Sequence, residues 1–210
     1  MRKFGFGVLI LLCSLASVAP ASATTISFDN LSDAEVVTNQ YAGVTFSNAQ
    51  VAGAFTQECS YGSLNDLDFP PRSMCNVAFD SDGPLTMDFG SQPIGVFNAY
   101  FTYTVPLTIS FFDAGNALLY TLTSAYQNNT GTSGDVGSAP NELLQWTSNT
   151  GITRLTITGD QAGFSFAMDD VTFRPFEAEP PPTSPVPEPG TLTLLATGAV
   201  ALYRRKTARS

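Results

Sequence analysis

Histidine is absent from all 210 residues, which removes Ser-His-Asp and Cys-His nucleophilic sites and most zinc sites at once. Bases are scarce in the body of the chain: of nine Lys and Arg, only Arg72, Arg154 and Arg174 lie between Asp29 and Glu188, where all eighteen acids lie. That stretch therefore carries −15 against −9 for the whole chain, and such a surface repels nucleic acid and anionic lipid head groups. No glycine-rich phosphate loop and no dinucleotide fingerprint occurs. The body shows no long 3.6-residue period, which argues against helices, and no repeat of fixed length; a barrel or β-helix stays the minority alternative to a sandwich. Tryptophan occurs once, as Trp146, and cysteine three times.

What is present is short-range alternation. Val44-Thr45-Phe46-Ser47, Leu85-Thr86-Met87-Asp88-Phe89, Leu107-Thr108-Ile109-Ser110-Phe111 and Leu155-Thr156-Ile157-Thr158 each alternate apolar with polar residues, the pattern of a half-buried strand. Turn residues separate them at Asp82-Gly83-Pro84, Gly90-Ser91-Gln92-Pro93, Asp113-Ala114-Gly115-Asn116 and Gly159-Asp160-Gln161-Ala162-Gly163. The expected fold class is all-β: an antiparallel β-sandwich, jelly-roll-like, of about eight to ten strands. The polar stretch 128–138 reads as an exposed loop within it.

The two ends differ in kind from the body. Arg2 and Lys3, the apolar run Phe4 to Val18 and the small residues Ala21-Ser22-Ala23 form a signal peptide over 1–23, so the mature chain is expected to begin at Thr24. The β-sandwich domain then spans 24–176. From Glu177 the chain turns proline-rich, a semi-rigid spacer over 177–186. Residues 187–210 hold Pro187-Glu188-Pro189, an apolar run from Thr191 to Tyr203, and the basic stop Arg204, Arg205, Lys206 and Arg209. Thirteen apolar-run residues make roughly 20 Å of helix against a hydrocarbon core of about 30 Å, a short transmembrane helix and a weak anchor. The basic cluster would stay on the cytoplasmic side.

Val186-Pro187-Glu188-Pro189-Gly190, the apolar stretch and the Arg-Arg-Lys end resemble the PEP-CTERM sorting signal of Gram-negative bacteria. The resemblance implies recognition and processing by an exosortase, a membrane-embedded cysteine protease or transpeptidase. It also implies transient inner-membrane anchoring, then a place at the cell surface, in the extracellular polysaccharide matrix, or in the medium.

Three further expectations concern sites. Cys59 and Cys75, 16 positions apart in an oxidising compartment, are expected to form a disulfide across a segment without useful periodicity. In Phe164-Ser165-Phe166-Ala167-Met168-Asp169-Asp170-Val171-Thr172-Phe173 the apolar parity changes at Asp169-Asp170. If all five apolar residues face the core, a β-bulge must stand there. Two carboxylates aimed by a bulge, with Asp29 from a pairing first strand, form a candidate structural Ca²⁺ site. The body also resembles, loosely, carbohydrate-binding jelly rolls, which often carry a Ca²⁺ at that corner. Tyr126 and Trp146 are the candidate glycan-stacking residues, with core packing the alternative for Trp146. The expected function is a surface or matrix protein without catalysis; the alternatives are a carbohydrate-binding module and, behind it, a glycoside hydrolase.

Overall fold

A computed structural model describes residues 22–177 and Thr197. The chain divides into two compact units, Met1–Glu177 and Ala178–Ser210, and the description concerns the first. The signal peptide, Pro187, Glu188, Pro189, the apolar run except Thr197, and the basic stop lie outside the described residues.

Twelve strands follow in order: β1 Thr24–Ile26, β2 Val36–Val37, β3 Thr45–Ser47, β4 Ala49–Gly53, β5 Asn76–Asp80, β6 Leu85–Asp88, β7 Ile94–Tyr103, β8 Thr108–Phe112, β9 Leu118–Thr123, β10 Glu142–Ile152, β11 Arg154–Thr158 and β12 Phe166–Pro175. They form a seven-stranded sheet, β10-β7-β12-β5-β4-β2 with β1 beside β12, and a five-stranded sheet, β3-β6-β11-β8-β9. Every pairing between these strands is antiparallel.

The four alternating segments of the sequence become β3, β6, β8 and β11, all in the five-stranded sheet. Their apolar positions Phe46, Leu85, Met87, Ile109, Phe111, Leu155 and Ile157 join one core with Phe97, Phe101, Met168, Val171 and Phe173 of the other sheet. Rings meet across the two layers: Phe97 and Phe111 are 5.7 Å apart edge to face, and Phe89 and Phe173 are 5.2 Å apart. The result is a two-sheet all-β sandwich packed face to face.

β12 is the structural axis. Ala167 and Met168 pair with β5, whereas Val171, Thr172 and Phe173 pair with β1, so the neighbour on that flank changes midway. On the other flank β7 runs alongside throughout, and its register slips by one residue between Asp169 and Thr172. Asp170 has φ +47°, a left-handed conformation of the kind that one class of bulge uses. The bulge expected at Asp169-Asp170 is therefore present, and it coincides with the change of partner. Its premise needs one correction. Phe166, Met168, Val171 and Phe173 face the core, but Phe164 lies before β12 and is 70% exposed.

Candidate functional site

The segment between β4 and β5, residues 54–75, has no strand of its own and is closed by the Cys59–Cys75 disulfide, with Cα atoms 5.4 Å apart. It covers the outer face of the seven-stranded sheet. Ala52, Val77 and Ala167 alternate with the core residues Val51, Ala78 and Met168. They form a second small cluster with Leu64, Phe69 and Phe79.

Carboxylates hold this covering segment down. Asp33 Oδ1 accepts from the Gly53 N–H (2.8 Å), the Ser63 N–H (3.1 Å) and the Ser63 hydroxyl (2.8 Å). Beside it the Gly62 N–H donates to the Ala54 carbonyl at 3.0 Å and the Leu64 N–H to the Gly53 carbonyl at 2.8 Å. The backbones approach so closely that a Cβ on Gly62 would stand 2.2 Å from the Gly53 oxygen, so only glycine fits. Farther along, Asp68 accepts from the Thr132 N–H at 3.0 Å and from its hydroxyl, and the Asp68 carbonyl accepts from the Gly131 N–H at 2.9 Å. The polar stretch 128–138 is a loop, mostly exposed as expected, but anchored by the buried Asn129 and Thr130. Asn129, fully buried, exchanges bonds with both the N–H and carbonyl of Tyr103 and donates to the carbonyls of Phe101 and Ala139.

At the bulge, the incoming backbone of residues 72–76 has lost a strand partner, and two acids replace it. Asp169 accepts from the N–H groups of Arg72 and Ser73, both at 2.8 Å, and from the Ser73 hydroxyl at 3.0 Å. Asp29 accepts from the N–H groups of Cys75 at 2.8 Å, Asn76 at 3.0 Å and Met74 at 3.4 Å. Burial raises the Asp29 carboxyl, but hydrogen bonds from Cys75, Asn76, Ser27 and Ser73 outweigh it and hold the group below its ordinary value. Burial lifts Asp169 to about 6 despite its bonds. Asp170 pairs with Arg72 at 3.5 Å, and the guanidinium also lies 3.6 Å over the Tyr100 ring.

The three acids expected to hold Ca²⁺ thus have protein partners: Asp29 and Asp169 accept from N–H and O–H donors, and Asp170 pairs with Arg72. Among the described residues no three acids come together to hold a cation.

Asp80 does for another turn what Asp169 does for the loop. Fully buried, it accepts from the Ser165 N–H (2.8 Å), the Ser165 hydroxyl (2.6 Å) and the Phe166 N–H (3.0 Å), and burial raises its carboxyl. The turn it holds places Gly163 at φ +84° and Phe164 at φ +56°, with the Phe164 N–H donating to the Asp80 carbonyl at 2.6 Å. The Phe164 ring projects to solvent, 5.6 Å from the Phe79 ring and tilted 36° to it. Between these rings and the disulfide loop opens a cleft of about 320 Å³, lined by Leu64, Phe69, Phe79 and Phe164 with Ser63 and Asn65 as its polar members. That volume is near the lower end of small-molecule sites, roughly 300–1,000 Å³.

The aromatic candidates read from the sequence lie elsewhere. Trp146 is partly buried in the seam between the sheets, 4.8 Å from Phe111 and stacked at 5.1 Å on Tyr120. It packs against the core rather than standing as an open platform. Tyr126 is half-buried against the same core, its hydroxyl donating to the Gly137 carbonyl at 3.1 Å. Phe164, Phe79 and Asp80 were the residues missed. The one sequence signal for them was the glycine immediately before Phe164.

Residues 185–209 match the family model of the PEP-CTERM protein-sorting motif. No curated protein matches the chain. Solved structures similar to it include the K2 cleaved adhesin domain of Lys-gingipain, 12% identical, covering 72% of this chain and 99% of that one, with a TM-score of 0.41. The K1 adhesin domain of Lys-gingipain from Porphyromonas gingivalis W83 is 10% identical, with 76% and 99% covered and a TM-score of 0.42. The CBM22-1 xylan-binding domain from Paenibacillus barcinonensis is 12% identical, with 78% and 100% covered and a TM-score of 0.39. At these scores the likenesses carry no inference about this chain.

Proposed function

From the PEP-CTERM sorting motif that the chain carries at residues 185–209, we infer that it is an exported exosortase substrate whose β-sandwich is left at the cell surface or in the polysaccharide matrix. The motif is the observation that carries this reading. The signal peptide over 1–23 brings the chain to the inner membrane, the short apolar run holds it there transiently, and cleavage near Pro189 releases the domain. The Cys59–Cys75 disulfide suits an oxidising compartment.

The domain itself performs no catalysis. Both acids whose carboxyls are raised, Asp80 and Asp169, are buried and bonded to backbone N–H groups rather than turned toward an open cleft. A glycoside hydrolase needs two carboxyls flanking an accessible bond. Nucleic acid is no partner, because the body is strongly acidic.

The test is the intact mass of the protein recovered from the surface and medium of its own host, compared with a strain lacking exosortase and with Glu188→Ala. The expected mass runs from Thr24 to a C-terminus near Pro189, less two hydrogen atoms for the disulfide, and both comparisons lose that processed form. A mature surface form that retains Thr191 to Ser210 makes the tail a permanent anchor and overturns the sorting reading.

A further inference from the structure

We propose that the cleft beneath the disulfide loop binds a neutral glycan chain, with the Phe164 ring as its stacking platform and Asn65 and Ser63 as its hydroxyl-reading rim. This site stands on geometry alone, independent of how the tail is processed.

Three observations converge on it. The first is cost. A bulky side chain at positive φ is strained, and strain of this kind clusters at functional sites. Here the strained residue is also a phenylalanine that is 70% exposed, so the conformation gains little burial in return. A buried carboxylate, Asp80, fixes the turn, adding a desolvation penalty to the same feature. The fold thus spends stability at two places to display one apolar ring.

The second is shape. Phe164 and Phe79 form an angled pair of flat apolar faces, continued by Leu64 and Phe69 on the loop side. Sugar rings present flat C–H faces edged by hydroxyls, and they match such a surface better than a flexible alkyl chain does.

The third is polarity. No charged side chain lines the cleft, although the body around it carries −15. An anionic ligand meets repulsion and no counter-charge, and a cation meets no carboxylate within the cleft. The rim instead offers acceptors. The Asn65 amide nitrogen donates to Asp68 at 2.9 Å, leaving its side-chain oxygen unengaged among the described residues. The Ser63 hydroxyl donates to Asp33, so its own oxygen remains an acceptor. Acceptors suit a ligand rich in O–H donors.

The experiment measures binding of the purified processed protein to neutral hexasaccharides (gluco-, manno-, xylo- and galacto-series) by titration calorimetry, with hexagalacturonate as the anionic control. At least one neutral series is expected to bind and hexagalacturonate to fail. Phe164→Ala should then weaken binding by roughly tenfold, the change that about 1.4 kcal/mol of lost stacking represents. Its melting temperature should hold, because the ring is exposed. Asn65→Ala, which leaves the ring in place, should also weaken binding, whereas Phe164→Tyr should retain it and Tyr120→Ala should have no effect. Failure of every neutral series, equal binding of hexagalacturonate, or undiminished binding by both Phe164→Ala and Asn65→Ala overturns the proposal.

Discussion

Acidification from pH 7 to pH 5 should stabilise the domain, and Asp169 should be a main source of the effect. Burial, acting against hydrogen bonds from Ser73 and Asp170 and with repulsion from the Asp170 carboxylate, lifts the Asp169 carboxyl from 3.8 to about 6. Between those values the folded state holds a proton that the unfolded chain has lost, so stability rises as pH falls through about 6 and levels off near the unfolded value. At roughly 1.4 kcal/mol per pKa unit the span corresponds to about 3 kcal/mol, an upper figure for one group. Between pH 7 and 5 about one pKa unit of that span is realised, roughly 1.4 kcal/mol, and at about 2–4 °C per kcal/mol for a domain of this size a rise on the order of 3–6 °C is expected. The neutral form keeps its place, because the Ser73 hydroxyl lies 3.0 Å from both carboxyl oxygens and can turn to accept the new proton. Asp80, also raised by burial, acts in the same direction. Asp29, Asp33 and Asp68 are lowered despite any burial, by bonds from Cys75 and Asn76, from Gly53 and Ser63, and from Thr132, so their stabilisation fades only below the ordinary carboxylate range. Circular dichroism melts from pH 7.5 to 3 should therefore show a maximum between about 4 and 5. General relief of the acidic surface adds a slope of its own, which Asp169→Asn separates. That variant has no charge to titrate there, so its rise between pH 7 and 5 should be clearly smaller. An identical rise in the variant, or a fall in the wild type over that interval, refutes the assignment.

Two further outcomes follow from the same contacts. Replacing both Cys59 and Cys75 by serine should cost about 3 kcal/mol in the chain-entropy account, read as a lower urea midpoint with a steeper slope, because the uncrosslinked unfolded chain is less compact. Asn129→Ala should cost about 1–3 kcal/mol, because the Tyr103 N–H and the Phe101 and Ala139 carbonyls lose a buried partner; a melting temperature equal to wild type would show that water replaces the amide.

How much of this was legible in the sequence depended on which sheet a strand entered. β3, β6, β8 and β11 announced themselves by alternation because the five-stranded sheet keeps one face toward solvent. β4 and β5 did not. The disulfide loop covers their outer face, so Val51-Ala52 and Val77-Ala78 are buried on consecutive positions and the period of two disappears. The bulge at Asp169-Asp170 was readable because a change of apolar parity leaves a mark in one dimension. Its purpose was not. The N–H groups of residues 72–76 that Asp29 and Asp169 receive come from far along the chain, and sequence spacing carries no trace of them. Carboxylates taken for solvated charge or for metal ligands proved to be acceptors for stranded backbone. The aromatic cleft was hidden for a related reason: on parity alone Phe164 belonged with the core, and only the two left-handed residues at 163 and 164 turn it outward.

The position of β12 also decides how the domain bears load. Any pull transmitted through the chain after Pro175 enters at a strand bonded along β7 on one side and to β5 and β1 in succession on the other. Such a strand cannot peel away as an edge would; its release requires rupture on both flanks and extraction of Phe166, Met168, Val171 and Phe173 from the core. Thr24 stands opposite Phe173, and β1 is a strand of three residues paired with β12 alone. A pull applied through the C-terminal side would then fall on a strand held on both flanks, while β1, paired with β12 alone, would yield before it.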